Sequence, residues 1–327
     1  LIAAAPAFTI LKTEGWPQRI DPKAADVAGL DTMWKWECPQ HIEIHGKRYC
    51  AMGAPWDTAK VHGILWGESN AEHIAPLVAT ALDGSEASVF LLRGCAPIFG
   101  GKVHRINEHD PTEHARCIET RAKALEIIYS YNIDFIVMAA VWPLSNNVMD
   151  LYWEDDKENR STETGYFLAE QALRDLVLGF HSSGKKTTIV GTFPRPPQHL
   201  LDCAYSRYSG LPRRQCSTLM PFSQYQALSG RTIEILADVA ATIPSVHLVR
   251  PAEGLCNKSE CKISLDGEVL FRDPAHLRRN LPERIRKELA DAIGLTSALR
   301  SVTSHFASPP FSGNRRSSLR GAPAADH

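Results

Sequence analysis

Short runs that are apolar almost throughout recur along the chain, and segments with apolar residues at helical spacing separate them. Three such runs occupy residues 61–66, 87–92 and 133–140, and two further strands are expected at residues 186–191 and 246–249. Because they lack the polar alternation of a half-exposed strand, they predict strands that are covered on both faces, which is typical of a parallel sheet. The alternation of these strands with helices predicts a doubly wound α/β sandwich with a mostly parallel sheet.

Helical spacing of apolar residues predicts the connecting elements. One helix is expected from a turn at Ser69 to about Leu82, and others are expected over residues 112–131, 167–181, 223–243 and 282–293.

Three further segments lack a regular pattern. Residues 15–57 contain several prolines and four of the seven tryptophans, residues 150–164 are acidic and polar, and residues 194–221 contain a proline cluster. We expect an irregular N-terminal extension, a loop and an insertion over the sheet, respectively.

These patterns place one α/β domain at residues 14–296, N-terminal extension included. Residues 297–327 are rich in Ser, Pro, Arg and Ala, a composition that predicts a disordered tail. Residues 1–11 are mostly apolar and Lys12 follows. Two interpretations of residues 1–13 stay open, namely the end of a transmembrane helix or linker from a longer protein, or an ordinary N-terminal segment packed on the domain.

Composition adds few constraints. The chain has 327 residues, of which 44% are hydrophobic and 22% charged, and its formal net charge is -1, as in an ordinary globular protein. It has no basic stripe interleaved with aromatic residues, so no nucleic-acid partner is expected. No apolar run approaches the roughly 20 residues that span a bilayer.

The eight cysteines fall in pairs that are close in sequence. The pairs are Cys38 with Cys50, Cys95 with Cys117, Cys203 with Cys216, and Cys256 with Cys261. Each pair brackets a loop rich in polar residues, Gly or Pro, which predicts disulfides and an oxidising compartment. Eight reduced thiols in a cytosolic protein remain the alternative. Because the chain has no C-x-x-C pair, no structural zinc site is expected, and we predict no metal site.

Ser69 lies just after the first apolar run breaks at Gly67, where a helix begins. A hydroxyl at such a turn projects from the carboxyl end of a sheet, and the free N–H groups of the helix face the same point. A serine nucleophile needs a base, and the base needs an orienting carboxylate.

The candidates for these roles are His276 and Asp273, whose D-x-x-H spacing places both on one short turn after a hairpin-like stretch at residues 265–271. Loops at the carboxyl ends of parallel strands converge. We therefore expect Ser69, His276 and Asp273 to meet.

Acyl chemistry also requires hydrogen-bond donors for an oxyanion. The Ser69 N–H is one candidate. Gly94, after the second strand, is another, because a residue without a side chain lets its N–H approach a ligand. The alternative for Gly94 is an ordinary turn glycine. Asn70 and Arg93 are further candidate donors.

Blocks of this sequence resemble those of the SGNH hydrolase superfamily, namely W-G-E-S-N-A, G-C-A-P, V-M-A-A-V-W and D-P-A-H-L. They are most similar to the extracytoplasmic SGNH domain that is fused behind acyltransferase family 3 membrane domains. In that group a Cys-Pro loop follows the second strand and a Cys pair precedes the D-x-x-H-L block, a position that L-C-N-K-S-E-C occupies here. The stretch G-W-P-Q-R-I resembles the linker that leaves the last membrane helix. The resemblance covers roughly residues 14–293.

The resemblance implies a flavodoxin-like α/β/α sandwich at the periplasmic or extracytoplasmic face, tethered to the cytoplasmic membrane. It implies transfer of acetyl or similar acyl groups onto a cell-surface glycan or polysaccharide, with no tightly bound cofactor. The acetyl donor is then ultimately acetyl-CoA, acting through an N-terminal acyltransferase membrane domain of the same polypeptide if the chain is a fragment. The resemblance assigns Ser69, Asp273 and His276 to the catalytic triad and Gly94 to the second-block oxyanion position.

The chain departs from the family pattern around the serine. Glu68 and Asn70 replace the usual Asp and His, although Glu68 still offers a carboxylate to anchor the turn. The third-block Asn has no clear match, because Val-Trp-Pro stands at residues 141–143. That oxyanion donor is unassigned.

Two further features concern the substrate. Trp142 is a candidate for stacking on a sugar ring, although packing is the better interpretation for most of the tryptophans. Arg278 and Arg279 follow His276 where a small polar residue is more usual, which bears on the charge of the substrate.

The leading hypothesis is an O-acyltransferase in which Ser69 accepts an acyl group and His276 activates a sugar hydroxyl. The second is a carbohydrate acetylesterase or lipase-type hydrolase with the same triad and water as the acceptor. The third is a non-catalytic glycan-binding module, motivated by Glu68 and Asn70. The presence of Ser69, Asp273 and His276 together argues against the third.

Overall fold

A computed structural model of the protein describes residues 22–106, 110, 112–153, 155–208 and 216–307. Seven strands form its central sheet. They are β1 (Gln40–Ile44), β2 (Lys47–Gly53), β3 (Val61–Gly67), β4 (Ala87–Arg93), β5 (Phe135–Ala139), β6 (Lys186–Val190) and β7 (Val246–Val249).

The strand order is β1-β2-β4-β3-β5-β6-β7. Strands β3 to β7 are mutually parallel, and β1 and β2 form an antiparallel hairpin that pairs with β4. The parallel part has the flavodoxin-like order, in which the chain changes direction across the sheet between β3 and β5. The predicted mostly parallel α/β sandwich is confirmed.

Helices cover both faces of this sheet. They are α1 (Leu30–Trp34), α2 (Ser69–Ala81), α3 (Glu113–Ser130), α4 (Thr162–Ser182), α5 (Gln198–Ser206), α6 (Phe222–Thr242), α7 (Pro251–Leu255), α8 (Glu283–Ala292) and α9 (Leu295–Ala307). One core lies between the sheet and α2, α8 and α9, and the other between the sheet and α3, α4 and α6. Alternate strand residues serve the two cores: Leu65 faces the first, and Ile64 and Trp66 face the second.

Short two-stranded sheets and 3-10 helices lie outside the central sheet. Antiparallel pairs join Val103–Arg105 to Leu151–Trp153, Leu219–Pro221 to Glu260–Lys262, Ser264–Leu265 to Glu268–Val269, and Phe271–Asp273 to His276–Leu277. Single 3-10 turns occur at Pro22–Val27, Trp56–Thr58 and Val148–Asp150.

The structure corrects several predicted boundaries. Residues 15–57 are not an irregular extension throughout, because they contain α1 and the β1–β2 hairpin. The expected loop at residues 150–164 includes a short strand and the start of α4, whose first turn is capped by Ser161 accepting a hydrogen bond from the Thr164 N–H. An N-cap serine satisfies a helix donor that has no partner within the helix.

The predicted tail begins too early. Helix α9 covers Leu295–Ala307 and buries Ala298, Leu299 and Val302 against the first core. Its apolar residues recur at helical spacing, and this periodicity outweighs the Ser and Arg content on which the tail prediction rested. Residues 1–21 and 308–327 lie outside the described residues, so the predictions for residues 1–13 and for the remainder of the tail stay predictions.

All eight cysteines are bonded, in the same four pairs that sequence proximity predicts: Cys38–Cys50, Cys95–Cys117, Cys203–Cys216 and Cys256–Cys261. Among the described residues, no helix is both long enough and apolar enough to cross a membrane.

Gly67, the last residue of β3, lies against the end of β5. A Cβ atom added there would lie 1.9 Å from the carbonyl oxygen of Ala139 and 2.9 Å from the Ala71 Cβ. Backbone cannot yield as a flexible side chain can. The absence of a side chain at residue 67 is therefore a condition for closing the sheet directly beneath Ser69.

We predict that Gly67→Ala lowers the free energy of unfolding by about 2 kcal/mol or more, because overpacking at a rigid site forces backbone shifts. Gly230→Ala is the matched control, since Gly230 lies within α6 and has no atom within 4 Å of an added Cβ. It should instead gain about 0.5–1 kcal/mol from helix propensity. Urea unfolding of both variants measures the two effects, and a Gly67→Ala protein as stable as wild type contradicts the close approach.

Candidate active site

Ser69 is the first residue of α2 and follows the carboxyl end of β3. This is the place where the strand order reverses between β3 and β5, and loops from the two strands diverge there to leave a crevice. The Ser69 side chain is partly exposed. The strand-to-helix turn predicted from the sequence therefore presents the hydroxyl at the carboxyl edge of the sheet.

His276 comes to Ser69 from the other end of the chain. Its Nε2 lies 2.8 Å from the Ser69 Oγ, and its Nδ1 lies 2.8 Å from one Asp273 carboxylate oxygen and 3.0 Å from the other. A carboxylate only accepts hydrogen bonds, so Nδ1 carries the proton and Nε2 is left to accept the serine O–H. The structure thus brings Ser69, His276 and Asp273 into one hydrogen-bonded line.

The Asp273 carboxylate is held by more than His276. It accepts a hydrogen bond of 2.9 Å from the Ala275 N–H and a longer one of 3.3 Å from the Arg272 guanidinium. Partial burial by itself raises the pKa of Asp273. The hydrogen bonds from His276 and Ala275, together with the positive charge of Arg272, outweigh burial and hold that pKa below its ordinary value. Asp273 is therefore ionised at neutral pH, as an orienting group must be.

Glu68 anchors the turn that carries Ser69. One carboxylate oxygen accepts a hydrogen bond of 2.8 Å from the Asn70 N–H, and the other accepts one from the Val141 N–H just beyond β5. Desolvation raises the pKa of Glu68, while these two hydrogen bonds favour the charged form and oppose the rise. The longer side chain at residue 68 thus fills the anchoring role expected of it and ties the β3 turn to the end of β5.

Two rings pack edge-on against His276. The Trp34 ring centroid lies 5.4 Å from that of His276, and the His73 centroid lies 5.8 Å from it. Burial lowers the pKa of His73 well below its ordinary value, and repulsion from the protonated form of His276 lowers it further. His73 is therefore neutral at neutral pH and packs beside His276 without a charge of its own.

The oxyanion donors differ from those expected. The Ser69 N–H has no acceptor among the described residues, as befits the first turn of a helix. The Gly94 N–H, in contrast, donates to the Gly67 carbonyl oxygen at 2.9 Å. A Cβ added at Gly94 would lie 2.3 Å from the Thr120 side chain. The structure therefore corrects the assignment of Gly94 and favours the alternative, a glycine required for backbone bonding and packing.

The remaining predicted binding residues fall into two groups. Asn70 lines a cleft beside Ser69, with its side-chain amide 3.2 Å from Glu68. Trp142 is only 1% exposed, and its indole N–H donates to the Val190 carbonyl oxygen at 2.7 Å. It is a core residue and cannot stack on a sugar, which corrects that prediction. Arg93 is exposed and forms an ion pair of 2.7 Å with Glu72, one turn beyond Ser69.

Arg195 is a residue that the sequence analysis missed. It lies in the loop after β6, lines the same cleft as Asn70 and Ala275, and approaches the Pro274 carbonyl oxygen at 3.4 Å. Among the described residues no carboxylate lies within ion-pair distance of its guanidinium. The rule that ligand contacts come from loops at the carboxyl ends of parallel strands points to this loop, but the proline cluster obscures the signal.

Three histidines recur every five residues along the chain, at His104, His109 and His114. His104 is buried on a short strand, and its ring centroid lies 4.0 Å from that of His114. The third of them, His109, lies outside the described residues. Within the described part of the chain, no three His, Cys, Asp or Glu side chains are grouped so that they could hold a metal ion.

Comparison with known protein families adds one finding. The family model described as SGNH domain (fused to AT3 domains) matches residues 37–291, which is more than half of the chain and includes Ser69, Asp273 and His276. No curated protein matches the chain.

We predict that Glu68→Gln lowers the free energy of unfolding by about 1–3 kcal/mol, because an amide offers one acceptor where two backbone N–H groups need partners. Glu68→Asp retains both acceptor oxygens and should lose less. Glu119→Gln on the exposed face of α3 is the control and should stay within about 0.5 kcal/mol of wild type. Urea unfolding measures all three, and equal stability of Glu68→Gln and wild type contradicts the anchoring role.

The lowered pKa of Asp273 predicts a pH dependence. A carboxyl whose pKa falls on folding stabilises the protein above its unfolded value of about 4, and this contribution disappears as the pH falls through the lower folded pKa. The difference in unfolding free energy between wild type and Asp273→Asn should therefore be constant near neutral pH and shrink under acid conditions. Urea titrations at a series of pH values test this, and a difference that grows on acidification contradicts it.

Proposed function

This chain belongs to the family of SGNH domains that are fused to AT3 domains, and from that premise we propose that it is a serine-dependent O-acyltransferase. Family membership supports acyl-transfer or hydrolase chemistry. The observation that carries the specific proposal is the hydrogen-bonded line in which His276 joins the Ser69 hydroxyl to the Asp273 carboxylate. Such a line makes a serine hydroxyl nucleophilic.

In the first half-reaction, the Ser69 Oγ attacks the carbonyl carbon of an acyl donor while its proton passes to the His276 Nε2. Asp273 stabilises the imidazolium that forms and keeps its ring oriented. The tetrahedral intermediate collapses, the leaving oxygen takes the proton from Nε2, and the acyl group remains on Ser69 as an ester.

In the second half-reaction, a hydroxyl of the acceptor attacks the acyl-serine carbonyl and gives its proton to the His276 Nε2. Collapse of the second tetrahedral intermediate returns this proton to the Ser69 Oγ and releases the acylated acceptor. The enzyme ends in its starting state, and no oxidant or metal enters the balance. With water in place of the sugar hydroxyl, the same steps are ester hydrolysis.

The negative charge that develops on the carbonyl oxygen of each tetrahedral intermediate needs hydrogen-bond donors near the start of α2. The free Ser69 N–H lies at the N-terminus of α2, where the helix dipole favours negative charge. The Asn70 amide and the Arg195 guanidinium line the adjoining cleft. We assign these three groups, rather than Gly94 or a third-block Asn, to stabilisation of the oxyanion.

The partners of this reaction follow from the family. An SGNH domain fused to AT3 domains receives its acyl group, in our proposal, from an acyltransferase membrane domain, with acetyl-CoA as the ultimate source of the acetyl group. The acceptor is a cell-surface glycan or polysaccharide, and the domain works on the extracytoplasmic side of the membrane. The four disulfides support an oxidising compartment.

Hydrolysis is the second candidate function. The His276 and Asp273 side chains are about one-fifth exposed, at 20% and 23%, so water reaches the groups that would activate an acceptor. A carbohydrate acetylesterase is therefore compatible with the same geometry. A non-catalytic module gains no support, since the hydrogen bonds that activate Ser69 are formed.

We predict that Ser69→Ala and His276→Ala each lower kcat/KM for hydrolysis of a chromogenic acetyl ester by about 10⁴-fold, as loss of a triad member does elsewhere. His247→Ala is the control, because His247 is an exposed residue on the edge strand β7. It should retain wild-type activity. Wild-type Ser69 should also label with a fluorophosphonate, and a wild-type protein that neither turns over nor labels contradicts the proposal.

The products of the same reaction show whether a sugar hydroxyl or water accepts the acyl group. Oligosaccharide acceptors are added to the acetyl ester, and the products are analysed by mass spectrometry. Acetylated oligosaccharide that is absent with Ser69→Ala supports transfer. If free acetate is the sole acetyl product with every oligosaccharide tested, the result supports the hydrolase instead.

A further inference from the structure

Arg279 carries a positive charge that the described residues leave without a counter-ion. Its guanidinium lies over the rings of Trp34 and Trp36, with its carbon 5.3 Å and 5.5 Å from the two ring centroids. Its Nε is buried and has no hydrogen-bond acceptor. No ion pair or side-chain hydrogen bond joins Arg279 to any described residue.

The neighbouring Arg278 has the hydrogen-bond partners expected of an arginine with a structural role. Arg278 is 2% exposed and directs its guanidinium to the Val269 carbonyl oxygen at 3.2 Å, to Asn280 at 3.1 Å and toward Glu268 at 3.5 Å. A buried polar group that lacks such partners costs free energy. Arg279 has aromatic stacking partners but no described hydrogen-bond acceptor, so its donors remain available to a ligand.

Arg279 is close to the reacting groups. The Trp34 ring that supports it also packs edge-on against His276, so a single indole separates the guanidinium from the imidazole. Glu72, one turn after Ser69 in α2, forms an ion pair of 2.7 Å with Arg93. Among the described residues, no carboxylate lies within ion-pair distance of Arg279, so its charge is left for a ligand.

The chemistry of this arrangement selects an oxyanion. A guanidinium is a planar fork of donors that matches carboxylate and phosphate groups, and stacking on aromatic rings fixes its plane before a ligand arrives. Arg93 lies opposite Gly67 in the sheet, two residues before Ser69, and 68% of its side chain is exposed, so it is available to a ligand beside Ser69. An acidic group bound here lies beside Ser69 and His276.

We propose that Arg279 and Arg93 form an anion subsite, and that the acceptor glycan is acidic and binds through a carboxylate or phosphate group next to the hydroxyl that is acylated. The identity of the acceptor rests on the proposed acyl transfer, whereas the subsite itself rests on the residues around Trp34. Binding should weaken as salt rises, because ions screen such contacts.

The test measures binding without catalysis. We would titrate galacturonic acid tetramer, its methyl-esterified neutral form and a phosphorylated mannose oligosaccharide into the Ser69→Ala protein by calorimetry. The acidic tetramer or the phosphorylated oligosaccharide should bind at least about tenfold more tightly than the neutral form, as expected of hydrogen bonds to a charged group. Whichever of the two binds identifies carboxylate or phosphate as the recognised group.

Variants then locate the subsite. Arg279→Gln and Arg93→Gln, each in the Ser69→Ala background, should weaken binding of the acidic ligand about tenfold or more, and Arg279→Lys should recover part of the loss. Arg231→Gln, an exposed arginine of α6 paired with Glu234, is the control and should leave binding unchanged. Thermal unfolding confirms that each variant is folded, and Arg93→Gln serves as the test if Arg279→Gln is not.

Equal binding of acidic and neutral oligosaccharides overturns the inference, and so does acidic binding that survives both arginine substitutions. Failure of acyl transfer is a separate result. Arginine-dependent binding of an acidic glycan by a protein whose Ser69 fails to react with fluorophosphonate keeps the subsite and refutes the catalytic proposal. If Ser69 reacts with fluorophosphonate but the protein binds acidic and neutral oligosaccharides equally, the catalytic proposal is kept and the subsite is refuted.

Discussion

The bridge that Glu68 makes between two strand ends is the interaction on which the rest of the site depends. Its carboxylate holds the Asn70 N–H at the start of α2 and the Val141 N–H after β5. Both donors lie at helix or strand ends and have no partner within regular structure, so the carboxylate satisfies groups that are costly to leave unpaired. The desolvation that raises the pKa of Glu68 is offset in part by these bonds. Ser69 lies between Glu68 and Asn70 in the chain, so this bridge fixes its backbone.

The proposed roles of Ser69 and His276 require contact between two residues that are 207 positions apart in sequence. The hairpin that carries His276 has little regular structure of its own, and it is held from outside. The buried Arg278 ties it to the preceding strand, the Tyr205 hydroxyl donates to the Phe271 carbonyl oxygen, and the Arg279 N–H donates to the Met33 carbonyl oxygen. The N-terminal segment therefore takes part in the site, because it supplies Met33 and the neighbouring indole that packs on His276.

Local pattern was enough to predict the parallel sheet, the turn at Ser69, the D-x-x-H turn and the cysteine pairing. Each of these depends on residues close in sequence, or on a rule of parallel sheets that brings strand ends to one edge. The fold class is confirmed, and the three triad candidates lie together in the structure. The Ser and Arg content of the C-terminal segment predicted a disordered tail, whereas the helical spacing of its apolar residues indicates helix α9.

The sequence by itself determined which groups are candidates for the chemistry: a serine at a strand-to-helix turn, a histidine and aspartate on one turn, and a carboxylate before the serine. Tertiary structure decided which of the other candidates are available. The Gly94 N–H is taken by the Gly67 carbonyl oxygen, Trp142 is enclosed in the core, and Arg279 faces the site while Arg278 points inward. A residue type states what a group can donate or accept. Whether it is free to do so depends on neighbours that are remote in sequence, and only packing sets those neighbours.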